Sequence, residues 1–328
     1  MGAVTLSKPL LYCAPMEGVT GAAFRRAHAR VFGGVDRYFA PFFSPTREHV
    51  MPPRVRRELL PANNPGLTLV PQLLCRSAGD FIWAAQSLLD MGYGEVNFNL
   101  GCPSGTVAAK GKGSGFLAFP DELEAFFEHV FSAIAPERIS VKTRLGVEDP
   151  AEFDRLLDIY ARFPIRELTV HARVRRDMYK LPVRLEGYAA AAERITVPLC
   201  YNGDVFTPEA AERITARFPG THALMLGRGL IADPALAREI SGGGRASRAE
   251  LREFHDLIYD GCARDFGNEN VTVPRMKELW SYLRFQFAPC EREYKRLAKT
   301  RRPDDYLAAA HDILVNVPLA VDGHYEVN

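Results

Sequence analysis

The chain has 328 residues, 47% of them hydrophobic and 25% charged, with a formal net charge of +1. That length exceeds the ~100–200 residues of a typical single domain, so a large domain with an appendage is expected, and the composition argues against a chain dominated by disorder. The balance of charge gives no sign of a strongly basic nucleic-acid binder, and no stretch approaches the ~20 apolar residues of a membrane helix. The opening "MGAVTLSKPLLYCAP" has no charged segment followed by a long hydrophobic run, so a cytoplasmic location is expected. The six cysteines, Cys13, Cys75, Cys102, Cys200, Cys262 and Cys290, form no CxxC pair. Free thiols are therefore expected, with no metal site.

In chain order, short apolar runs rich in β-branched and aromatic residues predict strands at 10–15, 36–42, 67–74, 95–100, 139–144, 167–172, 197–202 and 223–228. Amphipathic stretches predict helices between them, at 20–32, 77–91, 120–134, 149–163 and 207–218. Eight such units argue for a (β/α)₈ TIM barrel over residues 1–240. A doubly wound open sheet is the alternative, but "APMEGVT" after the first strand lacks the glycine fingerprint of that fold. "SGGGRAS" (241–247) then reads as a linker. Beyond it the pattern is helical only, at 247–267, 273–288, 290–300 and 303–317, so a small C-terminal all-helical domain is expected over 241–328. Within it, residues 291–302 carry six basic side chains against two acidic ones. A solvated helix face accounts for that cluster as well as a binding surface does.

In barrels of this type chemistry sits at the C-terminal ends of the strands. Here those ends carry Pro15 and Met16, Gln72, Asn99 with Cys102, Lys142 with Arg144, His171 with Arg173, Asn202 with Gly203 and Asp204, and Gly227 with Arg228. Each has a structural explanation when taken singly; together they form a crowded polar rim. Loops after the seventh and eighth strands commonly bind phosphate in such barrels, and "YNGD" and "LGRG" supply glycines and the forked donor of Arg228. A phosphorylated cofactor is expected there. Cys102, held between Gly101 and Pro103 in a turn past a strand end, suits chemistry better than packing, whereas Cys13 and Cys200 fall inside predicted strands.

The ordered motifs "APMEGVT", "NFNLGCPS", "VKTRLG", "VHAR", "YNGD" and "LGRG" resemble the dihydrouridine synthase family, flavin enzymes that reduce uridine in RNA. The resemblance covers about residues 8 to 240 and continues in "PRMKELWSYL", which is similar to a helix of the family's RNA-binding domain. It implies FMN at the barrel mouth, with Ala14, Pro15 and Met16 against the isoalloxazine. Gln72 and Lys142 would meet its pyrimidine edge and ribityl region, and His171 would sit beside the ring. Asn202, Gly203, Asp204, Gly227 and Arg228 would make the ribityl and phosphate contacts. Cys102 would be the catalytic acid, giving a proton to C5 of uracil while hydride reaches C6 from the flavin, and Asn99 would help position the base. NADPH would reload the flavin.

The same resemblance implies a tRNA partner, and a monomer is expected because the RNA surface must stay open. An extruded uridine must be compensated by RNA contacts. The candidates are Lys110 and Lys112 on a glycine-rich loop read as a mobile lid or a flexible connection, together with Arg144, Arg173, Arg175, Arg176, Arg275, Lys277, Lys295, Arg296 and Lys299. Arg54, Arg56 and Arg57 join them. The chain departs from the family pattern in "VRRDMYKLPVRLEGY", which follows "VHAR", and in Tyr201 before the NGD triplet. Those departures bear on the RNA contacts. The same chemistry on ribosomal RNA, a flavin barrel reducing a free pyrimidine or enone, and an RNA-binding barrel without turnover are the alternatives.

Overall fold

A computed structural model of the chain describes residues 8–267, 269–321 and 325. Among the described residues nine short strands, β1 (Leu10–Cys13), β2 (Arg37–Phe39), β3 (Leu69–Val70), β4 (Gln72–Leu73), β5 (Val96–Leu100), β6 (Ile139–Arg144), β7 (Leu168–His171), β8 (Leu199–Asn202) and β9 (Ala223–Leu226), pair in the order β3-β2-β1-β9-β8-β7-β6-β5-β4. Every pairing is parallel. The two ends of that order flank Pro71 in the chain, and Phe43 bridges Leu73 next to the end of β2, so the order is a ring. This is the expected TIM barrel, with one difference. The single strand predicted at 67–74 is split because Pro71 has no N–H to give to a ladder.

Period-two alternation sorts the strand residues into two layers. Outward-facing Leu11, Cys13, Val96, Phe98, Val141, Leu168, Val170, Leu224 and Leu226 join the large core beneath the surrounding helices. Inward-facing Tyr12, Ala14, Phe39, Val70, Cys200, Ala223 and Met225 form a separate apolar cluster inside the barrel. The other inward positions are polar and buried, among them Gln72, Asn97, Asn99, Ser140, Thr169 and His171. One arc of the barrel is thus packed with hydrocarbon and the opposite arc with hydrogen-bonding side chains.

The helices match expectation at Ala22–Val31, Ala78–Asp90, Pro120–Ala133, Glu152–Arg162 and Pro208–Arg217. Additional helices stand at Pro53–Leu59, Leu185–Arg194 and Leu236–Ile240, too short or too alanine-rich to show a clear apolar stripe. After the barrel come the helices Arg248–Phe266, Glu269–Leu283, Glu291–Lys299 and Pro303–Asn316. The first starts at a capping box of Ser247 with Glu250 and ends on left-handed Gly267. The second begins four residues before the expected start at 273 and encloses Pro274 as its sixth residue, at the loss of one i→i−4 hydrogen bond.

This helical region lies against the barrel helix Ala22–Val31. Phe254 meets Phe24 and Phe32 edge-on at 5.5 and 5.3 Å. A side chain at Gly261 would come within 2.8 Å of the Ala23 Cβ, so the two helices need glycine there. Fully buried Trp280 donates to the Tyr306 hydroxyl at 3.0 Å, and His255 Nε2 lies 2.7 Å from that same oxygen. Among the described residues no helix is long and apolar enough to cross a membrane.

Candidate active site

The register of the parallel ladder aligns the polar strand ends. Asn99 stands opposite Lys142, Arg144 opposite His171, and His171 opposite Asn202. From Asn99 a relay of amides runs inward. Its Nδ2 donates to Gln72 Oε1 at 2.7 Å, Gln72 Nε2 to Asn97 Oδ1 at 2.8 Å, and Asn97 Nδ2 to Ser140 Oγ at 2.9 Å. The Oδ1 of Asn99 points the other way and accepts the N–H groups of Gly101 (3.0 Å) and Cys102 (2.9 Å).

That contact fixes the turn carrying Cys102. The carbonyl of Cys102 in turn accepts from the backbone N–H (3.1 Å) and hydroxyl (2.7 Å) of Ser114. Gly113 has φ +57°, and a Cβ there would lie 2.9 Å from the Cys102 carbonyl oxygen. The glycine-rich loop is therefore folded back on the cysteine through the short helix Gly105–Ala108 and the 3₁₀ turn Gly113–Ala118. It is packed, not the free connection its composition suggested. Lys112 ties it to Ser44 at 2.9 Å, and Lys110 is exposed. Cys102 is half-buried, and that burial raises its thiol pKa above the usual value, with Arg144 and Lys142 pulling the other way.

At the opposite end, Lys142 Nζ donates to Asn202 Oδ1 at 2.8 Å, and Asn202 Nδ2 to the Met225 carbonyl at 2.7 Å. Burial, helped by Arg144, brings the Lys142 ammonium down to about 8. His171 is held uncharged: burial and the cations of Arg144, Lys142, Arg173 and Arg228 push its pKa well below the usual value. Arg173 Nη1 lies 3.2 Å from His171 Nε2. A guanidinium only donates, so Nε2 accepts and the ring proton sits on Nδ1. Arg173 also grips Asp204 with both terminal nitrogens, and Arg228 Nη2 shares Asp204 Oδ1 at 2.8 Å. Asp204 itself adopts φ +49° after Gly203.

Two adjoining cavities occupy this face. The smaller, about 70 Å³, is lined by Ala14, Asn202, Gly203, Asp204, Gly227 and Arg228, and the larger, about 340 Å³, by Asn99 and Cys102; Pro15, Met16, Lys142 and His171 line both. All the predicted cofactor residues except Gln72 border this cleft. Gln72 is fully buried beneath it, with its amide engaged by Asn97 and Asn99.

Tyr179 also borders both cavities, and nothing in the sequence points to it beyond its place in the segment that departs from the family pattern. Its ring lies 5.2 Å from the Arg144 guanidinium, 5.1 Å from that of Arg228, and 5.9 Å from His171. Asp177 and Arg184 pin the loop around it through two 3.0 Å contacts. Arg144 holds the same loop by donating to the carbonyls of Val174 (3.0 Å) and Met178 (2.9 Å), while its Nε donates to Gly101 (2.9 Å).

The expected RNA contacts therefore divide. Arg144 and Arg173 are buried, with donors directed to protein carbonyls and to Asp204, so neither presents its charge at the surface. Arg175 pairs with Glu148, Arg296 with Asp312, and Lys277 donates to the Thr300 carbonyl. Arg275 lies over the Phe266 ring at 5.6 Å. Arg176, Lys295 and Lys299 are exposed, like Lys110.

The charges fit an anionic group. Lys142, Arg173 and Arg228 oppose the single carboxylate of Asp204 while His171 stays neutral, an excess of about two positive charges, as a phosphate monoester would require. Gly203 and Gly227 leave the backbone open there. At the other end a protonated thiol faces the larger cavity. The fold and the cleft together define a barrel with a half-buried thiol at one end of its mouth and a cluster of cations at the other.

Residues 12–302 match the dihydrouridine synthase family model. A tRNA-dihydrouridine(16) synthase of Ralstonia nicotianae is 33% identical, over 78% of this chain and 79% of that protein. Another of that name from Neisseria meningitidis serogroup B is 27% identical, over 91% and 92%. Among solved structures, a variant of NCR, an old yellow enzyme homologue of Zymomonas mobilis, shares the barrel fold at 17% identity and a TM-score of 0.52, covering 73% of this chain and 88% of that one. The chain belongs to the tRNA-dihydrouridine synthase family.

Proposed function

We propose that the protein reduces the C5=C6 bond of specific uridines in tRNA to 5,6-dihydrouridine, using FMN and NADPH. The observation that carries this reading is the Cys102 thiol, held protonated by burial and fixed by Asn99 in a cleft whose far end has an excess of positive charge. Bound FMN supplies hydride to C6 of uracil, and NADPH restores the reduced flavin. Arg228, aimed by Asp204, would hold the cofactor phosphate beside the backbone of Gly203 and Gly227, with buried Arg173 fixing Asp204 from behind; Lys142 and Asn202 would meet the ribityl region, and Ala14 to Met16 the flat face of the ring. Negative charge develops at C5 as hydride arrives at C6. Cys102 Sγ delivers its proton there and is left as a thiolate, which takes a proton back from solvent.

In this reading residues 1–240 form the catalytic barrel and 241–328 the helical domain that orients the RNA. Lys110, Arg176, Lys295 and Lys299 are among the exposed cations available to phosphates, as are Arg54, Arg56 and Arg57. The enzyme works as a cytoplasmic monomer. The experiment is to incubate purified protein with FMN, NADPH and unmodified tRNA transcripts, ribosomal RNA or free uridine, then to measure dihydrouridine by mass spectrometry, after nuclease digestion for the RNAs. Product on tRNA alone supports the reading. Product on ribosomal RNA or on free pyrimidine instead would replace it.

A further inference from the structure

A second cavity, about 490 Å³, lies between the barrel loops after β1 and β2, the segment around Val55, and the helices Arg248–Phe266 and Glu269–Leu283. It is separate from the cleft that holds Cys102, yet Glu17, Pro41 and Phe42 line both. Its volume falls within the ~300–1,000 Å³ range of small-molecule sites. Val19, Phe43, Val55 and Leu279 give it an apolar lining.

Its rim is cationic in a specific way. Arg54 and Arg275 lie over the same Phe266 ring, at 5.8 and 5.6 Å. Arg275 makes no ion pair among the described residues, and the one acidic contact of Arg54 is Glu17 at 3.9 Å. Glu58 and Asp265 also line the cavity but are paired with Arg25 and Arg26, and Glu278 is the acidic neighbour of Arg275, so the two guanidiniums at one aromatic ring keep donors for a phosphate, while the apolar interior beside them suits a flat, poorly hydrated group.

A nucleotide combines those two features. Extruding a uridine from a folded RNA breaks its stacking on the neighbouring base, which is then exposed as well, and single-stranded bases are held on aromatic and apolar surfaces. We propose that this cavity is a second nucleobase site, which receives the nucleotide adjacent to the target uridine while Arg54 and Arg275 hold the phosphate beside it. The inference rests on the reading that folded RNA is the substrate. It makes the flanking base part of what the enzyme recognises, through burial and stacking more than through pairing.

The test uses the full-length protein and a transcript in which the reduced uridine has been mapped. Two further transcripts carry an abasic residue on its 5′ or 3′ side. One of them is expected to lose about tenfold or more in kcat/KM, the other little, in keeping with the weight of base stacking in single-strand binding. Val55→Trp, which fills the cavity, should lower kcat/KM on the parent transcript and have much less effect on the impaired abasic one. Both abasic transcripts reacting like the parent would overturn the proposal while leaving the proposed function intact, and this arm does not depend on whether the variant folds. So would a Val55→Trp protein of unchanged melting temperature that reduces the parent transcript normally. A parent transcript that is never reduced overturns the functional reading and this inference together.

Discussion

The side-chain oxygen of Asn99 accepts the backbone N–H of Cys102 at 2.9 Å, so the orientation of the proposed proton donor is set by an amide that is itself held by Gln72. Cys102→Ala should keep its flavin and its NADPH oxidation and lose dihydrouridine formation, as measured by mass spectrometry of digested tRNA. Asn99→Ala should keep the thiol but lower the rate roughly 10–100-fold, because general-acid catalysis contributes ~10²–10⁴ and requires alignment. Loss of flavin from either variant would contradict these roles. Because burial raises the thiol pKa, loss of the acid form of Cys102 should set in on the alkaline side of the ordinary cysteine range, as read from the pH dependence of dihydrouridine formation.

Arg228 and Arg173 share Asp204, but they are not equivalent. Arg228→Ala should weaken FMN binding by roughly 10–100-fold, the worth of a charge-assisted contact, as read by fluorescence titration. Arg173→Ala should weaken it as well and also lower the melting temperature, since Arg173 is 1% exposed and its removal leaves the Leu181 carbonyl and His171 without their donor.

Arg144 reads from sequence as an RNA contact and stands in the structure as a brace between the Cys102 turn and the Tyr179 loop. Arg144→Lys should therefore slow turnover about tenfold or more while leaving the salt dependence of tRNA binding unchanged, because a single ammonium does not reproduce the fork. A reduced salt slope in a filter-binding series would restore the RNA role.

Glu167 is buried inside the barrel and accepts from the Tyr12 hydroxyl at 2.9 Å. Burial, reinforced by Glu95, raises its carboxyl from 4.5 to about 7. The folded state thus binds a proton that the unfolded chain releases, and this contribution to stability is full below pH 4.5 and lost as pH rises to about 7. Glu167→Gln should gain stability relative to the parent at pH 8, with the difference shrinking towards pH 4.5, in urea denaturation at a series of pH values.

In the tail cluster Arg296 is engaged by Asp312, whereas Lys295 and Lys299 are exposed. Charge reversal at those two lysines should lower tRNA affinity and reduce the slope of log K against log salt by about 0.7–0.9 for each phosphate left without its cation. Unchanged binding at every salt concentration would make this helix a solvated face.

The eight strand segments and the identity of the polar rim were legible because β-strand alternation and strand-end chemistry are local signals. What each rim residue does there was not. Lys142, His171 and Arg228 line the cleft as expected, but Gln72 lies beneath it, and Arg144 and Arg173 point inward. Their positions follow from the ladder register, which pairs residues far apart in sequence and leaves no mark on spacing. Tyr179 was missed because its loop is pinned by Arg144 and by the Asp177–Arg184 pair, contacts that exist only once the barrel has closed. The glycines at 111, 113 and 115 read as flexibility, and two of them instead permit close approach: Gly113 to Cys102 and Gly115 to Ala108.

The break at Pro71 has a mechanical side. The ring joins there through two-residue strands on either side of a residue with no donor, so the ladder is interrupted in the middle of this stave. Gln72, the very next residue, leads through Asn99 to Cys102. A displacement of this stave is therefore passed on to the aim of the thiol through two side-chain contacts, and a substitution that shifts residues 67–74 should disturb the acid without touching it.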